Sequence, residues 1–327
     1  MKLTGTRESD RPNSSRWQSA RLLAMIRVHV FLAFLLVTSA LGQNPTYKYI
    51  RIGNTDDVTT KATAGYALMG GGSDLDEAFK FLCDKGGGGD FLALRAAGDD
   101  DYNDYINKLC KTNSVATLII PDRESASDSK VADIIRHAEA VFIAGGDQAR
   151  YINWWMSTPV QKALNAHIAA GKPIGGTSAG LAVLGQYVYS AQGDAPDDED
   201  LSSSQTLTNP YFERVTVRRD FARIVKDGWS PAPREIAVDE KSAVLVEGNG
   251  KGRVIGSGNG AYFISARGGP EVCRDRTPLT FRDLSVYRGP TGSEFDLKDW
   301  KGKRGTAYSL SVVDGKIQST QKSGAVY

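Results

Sequence analysis

The feature that most constrains the fold is an alternation of short apolar runs with helical segments between residues 66 and 174. Three of the four apolar runs are followed directly by glycine or proline, and a segment with apolar side chains at helical spacing comes after each run. This order predicts βαβ units, and therefore a mainly parallel sheet with helices on both faces. The predicted strands are 66–69, 91–94, 115–120 and 141–144; the predicted helices are 74–83, with Ser73 as N-cap, and 102–109, 130–138, 148–156 and 160–170.

The second half of the chain predicts mostly β structure. Residues 236–246 and 253–265 are predicted strands around a glycine-rich turn, and residues 215–225 fit either a strand or a helix. Shorter strands are predicted at 284–287 and 307–313, the latter followed by the turn Asp314-Gly315. We therefore expect a signal peptide over 1–42, an extended lead-in over 43–63, an α/β domain over 64–266 and a small β-rich extension over 267–327.

Residues 176–180 read G-T-S-A-G, and they lie between an apolar run and the apolar segment 181–184. In that context G-x-S-x-G predicts a nucleophile elbow, a tight strand-to-helix turn that presents a serine hydroxyl. Ser178 is the candidate nucleophile. The alternative is an ordinary glycine-rich turn before a helix.

A second turn, Gly145-Gly146-Asp147-Gln148, follows the strand predicted just before the elbow. Ligand sites of open parallel sheets lie beyond the carboxyl ends of the strands. The backbone amides of this turn, together with the amide of Ala179, are therefore candidates for an oxyanion hole beside Ser178. Asp147 alternatively serves as a plain helix N-cap.

The N-terminus carries the features of a secretory signal peptide. Arg21 and Arg27 precede the apolar run 28–37, and small residues follow it. Cleavage before Gln43 and secretion are expected, with Met25 as an alternative start and an uncleaved anchor as the alternative interpretation. The net charge of +2 gives no reason to expect nucleic acid or a membrane surface as a partner.

The chain has three cysteines, Cys83, Cys110 and Cys273. In a secreted protein Cys83 and Cys110, at the ends of two successive predicted helices, can form a disulfide; two buried thiols are the alternative. No C-x-x-C pair is present, so neither a zinc knuckle nor a dithiol motif is indicated. We expect no metal and no cofactor.

Several segments closely resemble the cyanophycinase-like serine peptidases, relatives of dipeptidase E. They include ALMGGGSDLDEAF, FIAGGDQARYINWW, GKPIGGTSAGLAVLGQYVYSA and REIAVDEKSAVLVEGNGKGRVIGSGNGAYFI. The resemblance implies the class I glutamine amidotransferase-like, flavodoxin-like three-layer sandwich. It implies hydrolysis of peptide or isopeptide bonds, with Ser178 as nucleophile, Gly146 and Ala179 at the oxyanion hole and Gln148 on the substrate side. The resemblance does not decide whether the protein forms a homodimer.

The histidine that the family uses as base has no counterpart here. The family's histidine segment lies downstream of the serine, but the histidines of this chain are His29, His137 and His167. Comparison with the family pattern predicts a deletion of roughly two dozen residues near Phe221-Ala222. The acidic partner is equally unassigned, because Gln205 stands where the family pattern has an acid. Nearby acidic alternatives are Asp194, Asp197 and Glu199. Tyr211 cannot replace the histidine, because a phenol is too weak a base at neutral pH.

Three hypotheses remain open at this point. The chain is a secreted peptidase relative that is inactive or much weakened as written. Alternatively, it is a non-catalytic binding or scaffold relative that uses the same cleft. The third hypothesis is that the printed chain lacks a segment present in an active peptidase.

Overall fold

The computed structural model describes residues 46–188, 219–274, 277–322 and 324–326. The predicted signal peptide lies outside these residues, as do Asp194, Asp197, Glu199, Gln205 and Tyr211. The helices are α1 (Asp76–Lys85), α2 (Asp101–Leu109), α3 (Arg123–Ser127), α4 (Ser129–His137), α5 (Gln148–Trp155), α6 (Pro159–Ala169), α7 (Ala179–Ala182) and α8 (Arg219–Lys226). The strands are β1 (Lys48–Gly53), β2 (Gly65–Met69), β3 (Asp90–Arg95), β4 (Ser114–Ile119), β5 (Ala140–Ile143), β6 (Ile174–Thr177), β7 (Arg234–Val238), β8 (Ser242–Glu247), β9 (Lys251–Gly256), β10 (Ala261–Ser265), β11 (Phe281–Gly289), β12 (Glu294–Asp296), β13 (Lys301–Lys303), β14 (Thr306–Val313) and β15 (Lys316–Ser319).

The main sheet has ten strands in the order β1-β4-β3-β5-β6-β2-β8-β9-β12-β13. Its central strands β4, β3, β5, β6 and β2 are all parallel to one another. Antiparallel strands extend it on both sides, β1 beside β4 and β8 beside β2. The α/β fold with a mainly parallel central sheet is therefore confirmed, and the carboxyl ends of β3, β5, β6 and β2 lie together at one edge.

Helices cover both faces of this sheet because side chains of the central strands point alternately to two cores. On β3, Phe91 packs with residues of α1 and α2, whereas Leu92 packs with residues of α4, α5 and α6. All six residues of β4 are buried. Near-continuous apolar strands of this kind are typical of parallel sheets that are covered on both faces.

The second sheet is antiparallel, with the order β15-β14-β11-β10-β7. It packs on the main sheet through an apolar cluster in which the rings of Phe263 on β10 and Phe295 on β12 stack with centroids 3.7 Å apart. The β-rich character of the C-terminal region is confirmed. Strands from both sides of the predicted boundary at 266–267 occur in each sheet.

Several local predictions differ from the structure. The predicted lead-in contains the edge strand β1, whose polar and glycine residues gave no strand signal. Helix α1 begins at Asp76 without a side-chain cap, so the prediction of Ser73 as its N-cap was wrong. Both long predicted strands are split into two, because Lys241 and Gly260 have positive φ angles of 54° and 98° and turn the chain. The helix alternative is the correct one for 215–225, as far as the described residues from Arg219 onward extend.

Cys83 and Cys110 form a disulfide that joins α1 to the residue after α2. This settles the choice that the sequence left open, in favour of the bridge. Cys273 is buried and lies outside it. Within the described ranges, no helix is both long enough and apolar enough to span a membrane.

Candidate active site

Ser178 occupies the turn between β6 and α7, with φ 52° and ψ −120°. A positive φ is uncommon for a residue with a side chain, and at functional sites it signals stored strain. The backbone amide of Ser178 donates to the carbonyl of Met69 at 3.1 Å, which ties the turn to the carboxyl end of β2. The strand, the strained serine and the helix follow one another as in a nucleophile elbow.

Glycine is required on both sides of Ser178. A Cβ on Gly176 would lie 2.4 Å from the carbonyl oxygen of Gly180, and a Cβ on Gly180 would lie 2.0 Å from that of Ile143. Neither approach is sterically allowed, since real Cβ atoms do not come within 3.0 Å of such neighbours. The motif is therefore explained by close backbone packing between the elbow and β5.

Two further glycine turns flank the serine side chain. Gly71, with φ 111°, and Gly145 each lie so close that a Cβ on either would be 3.4 Å from the Cβ of Ser178. A Cβ on Gly71 would also lie 3.7 Å from the Oγ of Ser178. The loops after β2 and β5 thus form two walls beside the hydroxyl.

The turn after β5 is fixed by Tyr151 on α5. Its hydroxyl donates to the carbonyls of Ala144, at 2.8 Å, and Gly145, at 3.2 Å. Burial raises the pKa of Tyr151 to about 12, which keeps this donor protonated. Gly146 follows with φ 152°, a conformation that favours glycine.

Asp147 is the N-cap of α5, because its side chain accepts from the amide of Ala149 at 2.9 Å. The alternative interpretation of this residue is therefore correct. Gln148 is the first residue of the helix, and Ala179 is the first residue of α7. First-turn amides have no acceptor within their own helix, which is compatible with the oxyanion role predicted for Ala179. The roles of Ser178, Gly146, Ala179 and Gln148 stay predictions.

Sequence reasoning missed a polar group on the α1 side of the elbow. The hydroxyl of Tyr102 on α2 donates to Oδ2 of Asp74 at 2.8 Å, while Oδ1 of Asp74 is buried without a hydrogen-bond partner. Burial raises the pKa of Asp74, and the hydrogen bond from Tyr102 partly offsets the rise. The glycine run 70–72, at the end of a predicted strand, was the one sequence signal that pointed here.

Neither described histidine is placed to act on Ser178. His167 on α6 is buried, and its Nε2 lies 2.9 Å from the carbonyl oxygen of Pro173 before β6. Pro173 and Ser178 stand at opposite ends of β6, and five extended residues span roughly 16 Å. Burial also lowers the pKa of His167 to about 4. His137 ends α4 shortly before β5 begins, at the amino edge of the parallel strands.

The described residues hold no cluster of three or more histidine, cysteine, aspartate or glutamate side chains that could bind a metal ion. The elbow places a serine hydroxyl between glycine-walled loops, with candidate amide donors at the starts of two helices.

The sequence model of peptidase family S51 matches residues 93–252. The cyanophycinase of Synechococcus elongatus is 26% identical over 255 residues, which cover 71% of this chain and 77% of that protein. The cyanophycinase of Trichormus variabilis is 25% identical over 198 residues, 56% of this chain and 65% of that protein. Among solved structures, a peptidase from an acI-B1 Actinobacterium aligns with 79% of this chain and 98% of its own, at 16% identity and a TM-score of 0.42.

The match to family S51 spans β5, the turn at 145–148, β6 and the elbow. The cyanophycinase matches extend well beyond that segment. Together with the strained Ser178 between β6 and α7, they show that the chain is similar to peptidase family S51 and to the cyanophycinases.

Proposed function

We propose that this protein is a secreted serine-type peptidase relative that cleaves peptide or isopeptide bonds through Ser178 and turns over slowly. The observation that carries the proposal is the conformation of Ser178, whose φ of 52° is held between packed glycines at the carboxyl edge of the parallel strands. A strained serine at that edge is the arrangement that nucleophilic hydrolases use.

In the proposed reaction Oγ of Ser178 attacks the scissile carbonyl, and the amides of Gly146 and Ala179 stabilise the oxygen that becomes negative. The leaving amine departs with a proton, and water then releases the acyl group from the serine. Both proton transfers need a base and an acid, and in this chain no histidine follows Ser178.

Slow turnover follows from that absence. A serine hydroxyl without a general base stays protonated at neutral pH. In well-studied serine proteases, removing one member of the triad lowers kcat by roughly 10⁴-fold to 10⁶-fold. We therefore expect residual activity from binding and the oxyanion amides alone.

A peptide-release assay tests the hydrolase proposal. The purified chain and its Ser178→Ala variant are incubated with a mixed peptide and isopeptide library, and new termini are identified by mass spectrometry. Slow cleavage by the parent chain that disappears in the variant supports the proposal. Equal product release by both proteins contradicts it.

A non-catalytic binding relative is the second candidate, and the placement of His137 and His167 away from the elbow favours it. Binding of library peptides without cleavage by either protein would select this candidate. Sequencing transcripts across the Phe221-Ala222 codons tests the third hypothesis, that the printed chain lacks a segment. An additional in-frame segment that encodes a histidine would show that the printed chain is incomplete.

A further inference from the structure

The loop between β2 and α1 lies against the candidate nucleophile and is held on several sides. Its residue Gly71 is the one on which a Cβ would lie 3.7 Å from Oγ of Ser178. From the β8 side, the amide of Lys241 donates to the carbonyl of Gly71 at 2.9 Å, and the amide of Gly70 donates to the carbonyl of Ser242 at 3.1 Å. The position of this loop therefore decides how much room the hydroxyl of Ser178 has.

Asp74 ends the loop and is not explained as a helix cap or an ion pair. The N-cap of α1 is Leu75, without a side-chain cap. In the described part of the chain, no cation lies within ion-pair distance of Asp74. A part-buried carboxylate with one oxygen lacking a partner is unfavourable for folding. Its bond to Tyr102, at the end of the loop that lies against Ser178, points to a role beside the elbow.

Tyr102 is anchored firmly enough to position that carboxylate. Its ring contacts the rings of Phe79 on α1 and Phe142 on β5, with centroids 5.9 Å and 5.3 Å away. The guanidinium carbon of Arg95, at the end of β3, lies 5.6 Å from the centre of the ring. These ring contacts with α1, β3 and β5 fix the position of the Tyr102 hydroxyl.

Asp74 lies two residues after Gly72, so its bond to Tyr102 fixes the end of the glycine loop that follows β2. Gly71, in the same loop, is one of the two glycine walls beside Ser178. A link therefore runs from Tyr102 through Asp74 and the glycine loop to the serine.

We propose that Asp74, held by Tyr102, is a positioning residue that fixes the Gly70–Gly72 loop in the geometry that makes position 178 reactive. This inference rests on the proposed function of Ser178. It adds a side chain that acts through the loop, and that has no contact with the substrate.

The chain offers a matched control pair. Tyr105 lies one turn further along α2, and its hydroxyl donates to Oδ1 of Asp76 at 2.6 Å. This bond is of the same kind, but it is exposed and its acceptor is on the first residue of α1 instead of in the loop. Removing it disturbs the α1–α2 contact without touching the loop.

The test uses the Ser178→Cys protein, because a thiol is reactive without an added base. The other cysteines are a disulfide pair and a buried residue, so alkylation by iodoacetamide reports on position 178. The rate is measured from pH 5 to pH 10, and the midpoint gives the pKa of the introduced thiol. Circular dichroism checks that each protein is folded.

In this background we expect Tyr102→Phe, which leaves the carboxylate in place, to raise the pKa of the thiol by at least about half a unit, which lowers the thiolate fraction at neutral pH about threefold. Asp74→Ala and Asp74→Asn both remove the negative charge of the carboxylate, which by itself lowers the pKa of a nearby thiol. Asp74→Asn keeps an oxygen that accepts from Tyr102, so the pKa of the thiol in Asp74→Ala should lie at least about half a unit above its value in Asp74→Asn. Asp76→Ala and Tyr105→Phe should leave the profile within the error of the measurement.

An unchanged profile in Tyr102→Phe would overturn the proposal, as would equal profiles in Asp74→Ala and Asp74→Asn or equal shifts in the control variants. Tyr102→Phe is nearly isosteric and decides the matter if Asp74→Ala does not fold. The thiol readout does not require hydrolysis by Ser178. The thiol pKa can therefore shift as expected while Ser178 of the parent chain never reacts. That combination would reject the proposed function and leave the positioning role of Asp74 in place.

Discussion

The hydroxyl of Tyr151 lies 2.8 Å from the carbonyl oxygen of Ala144 and joins α5 to the turn that follows β5. The same hydroxyl lies 3.2 Å from the carbonyl oxygen of Gly145. Both acceptors precede Gly146, the candidate oxyanion donor. The orientation of that turn therefore depends on one buried phenol.

Replacing Tyr151 by Phe should loosen this turn. The variant leaves two carbonyls without their donor, which should lower the free energy of unfolding by about 1–2 kcal/mol. Urea unfolding followed by circular dichroism measures this. The exposed Tyr49 provides the control, and Tyr49→Phe should change the free energy by less than about 0.5 kcal/mol. Equal values for the two variants would show that the Tyr151 bonds do not hold the turn.

Gly180→Ala should damage the elbow directly. The new methyl group would lie 2.0 Å from the carbonyl oxygen of Ile143, so β5 and α7 would have to move apart. Overpacking of this kind typically costs about 1–3 kcal/mol, and more where backbone must shift. Gly268→Ala is the control, since a Cβ at that position would have no atom within 4 Å. A Gly180→Ala protein as stable as Gly268→Ala would contradict the packing described for the elbow.

His167 should make stability depend on pH. Burial lowers the pKa of His167 to about 4, below the ordinary value of 6.5. The unfolded chain therefore binds more protons between pH 6.5 and pH 4, and stability falls as pH falls through that window. The shift corresponds to about 3 kcal/mol.

The measurement for His167 is the urea midpoint at pH 7.5 and at pH 4.5. His167→Gln should lose stability at pH 7.5 but show a smaller further loss at pH 4.5 than the parent chain. His137→Gln, which replaces an exposed histidine, should retain the slope of the parent chain. A His167→Gln protein with the parent's full pH dependence would mean that another group is responsible.

The Cys83–Cys110 disulfide should contribute substantially to stability. It closes a loop with a sequence separation of 27, and the chain-entropy estimate for such a loop is about 3.5 kcal/mol. The Cys83→Ala/Cys110→Ala double variant should lose about that much in urea unfolding, and a reducing agent should destabilise the parent chain but not the variant. If the reducing agent does not change the stability of the parent chain, the bridge is absent or does not stabilise the fold.

The central α/β unit could be predicted from the sequence because its strands are buried on both faces. Residues 91–94 and 141–144 were recognised within a residue or two of β3 and β5, since such strands are continuous apolar runs bounded by glycine. Edge strands carry no such signal. β1 mixes polar, charged and glycine residues, and only its pairing with β4 makes it a strand.

The sequence located the elbow but not the side chains around it. The G-x-S-x-G pattern is local, so Ser178 could be found from spacing alone. Asp74 and Tyr102 are 28 residues apart, and their bond depends on how α2 packs on α1. Tyr151 gave no signal in the sequence, because its hydrogen bonds go to backbone carbonyls that no residue pattern records.

The most direct test of the central claim is the reaction of the intact chain with a fluorophosphonate probe, followed by mass spectrometry of its peptides over time. We predict one adduct, on Ser178, that forms over hours and is absent from Ser178→Ala. Rapid stoichiometric labelling would contradict the slow turnover expected without a histidine. Adducts at other residues, with Ser178 untouched, would contradict its assignment as the nucleophile.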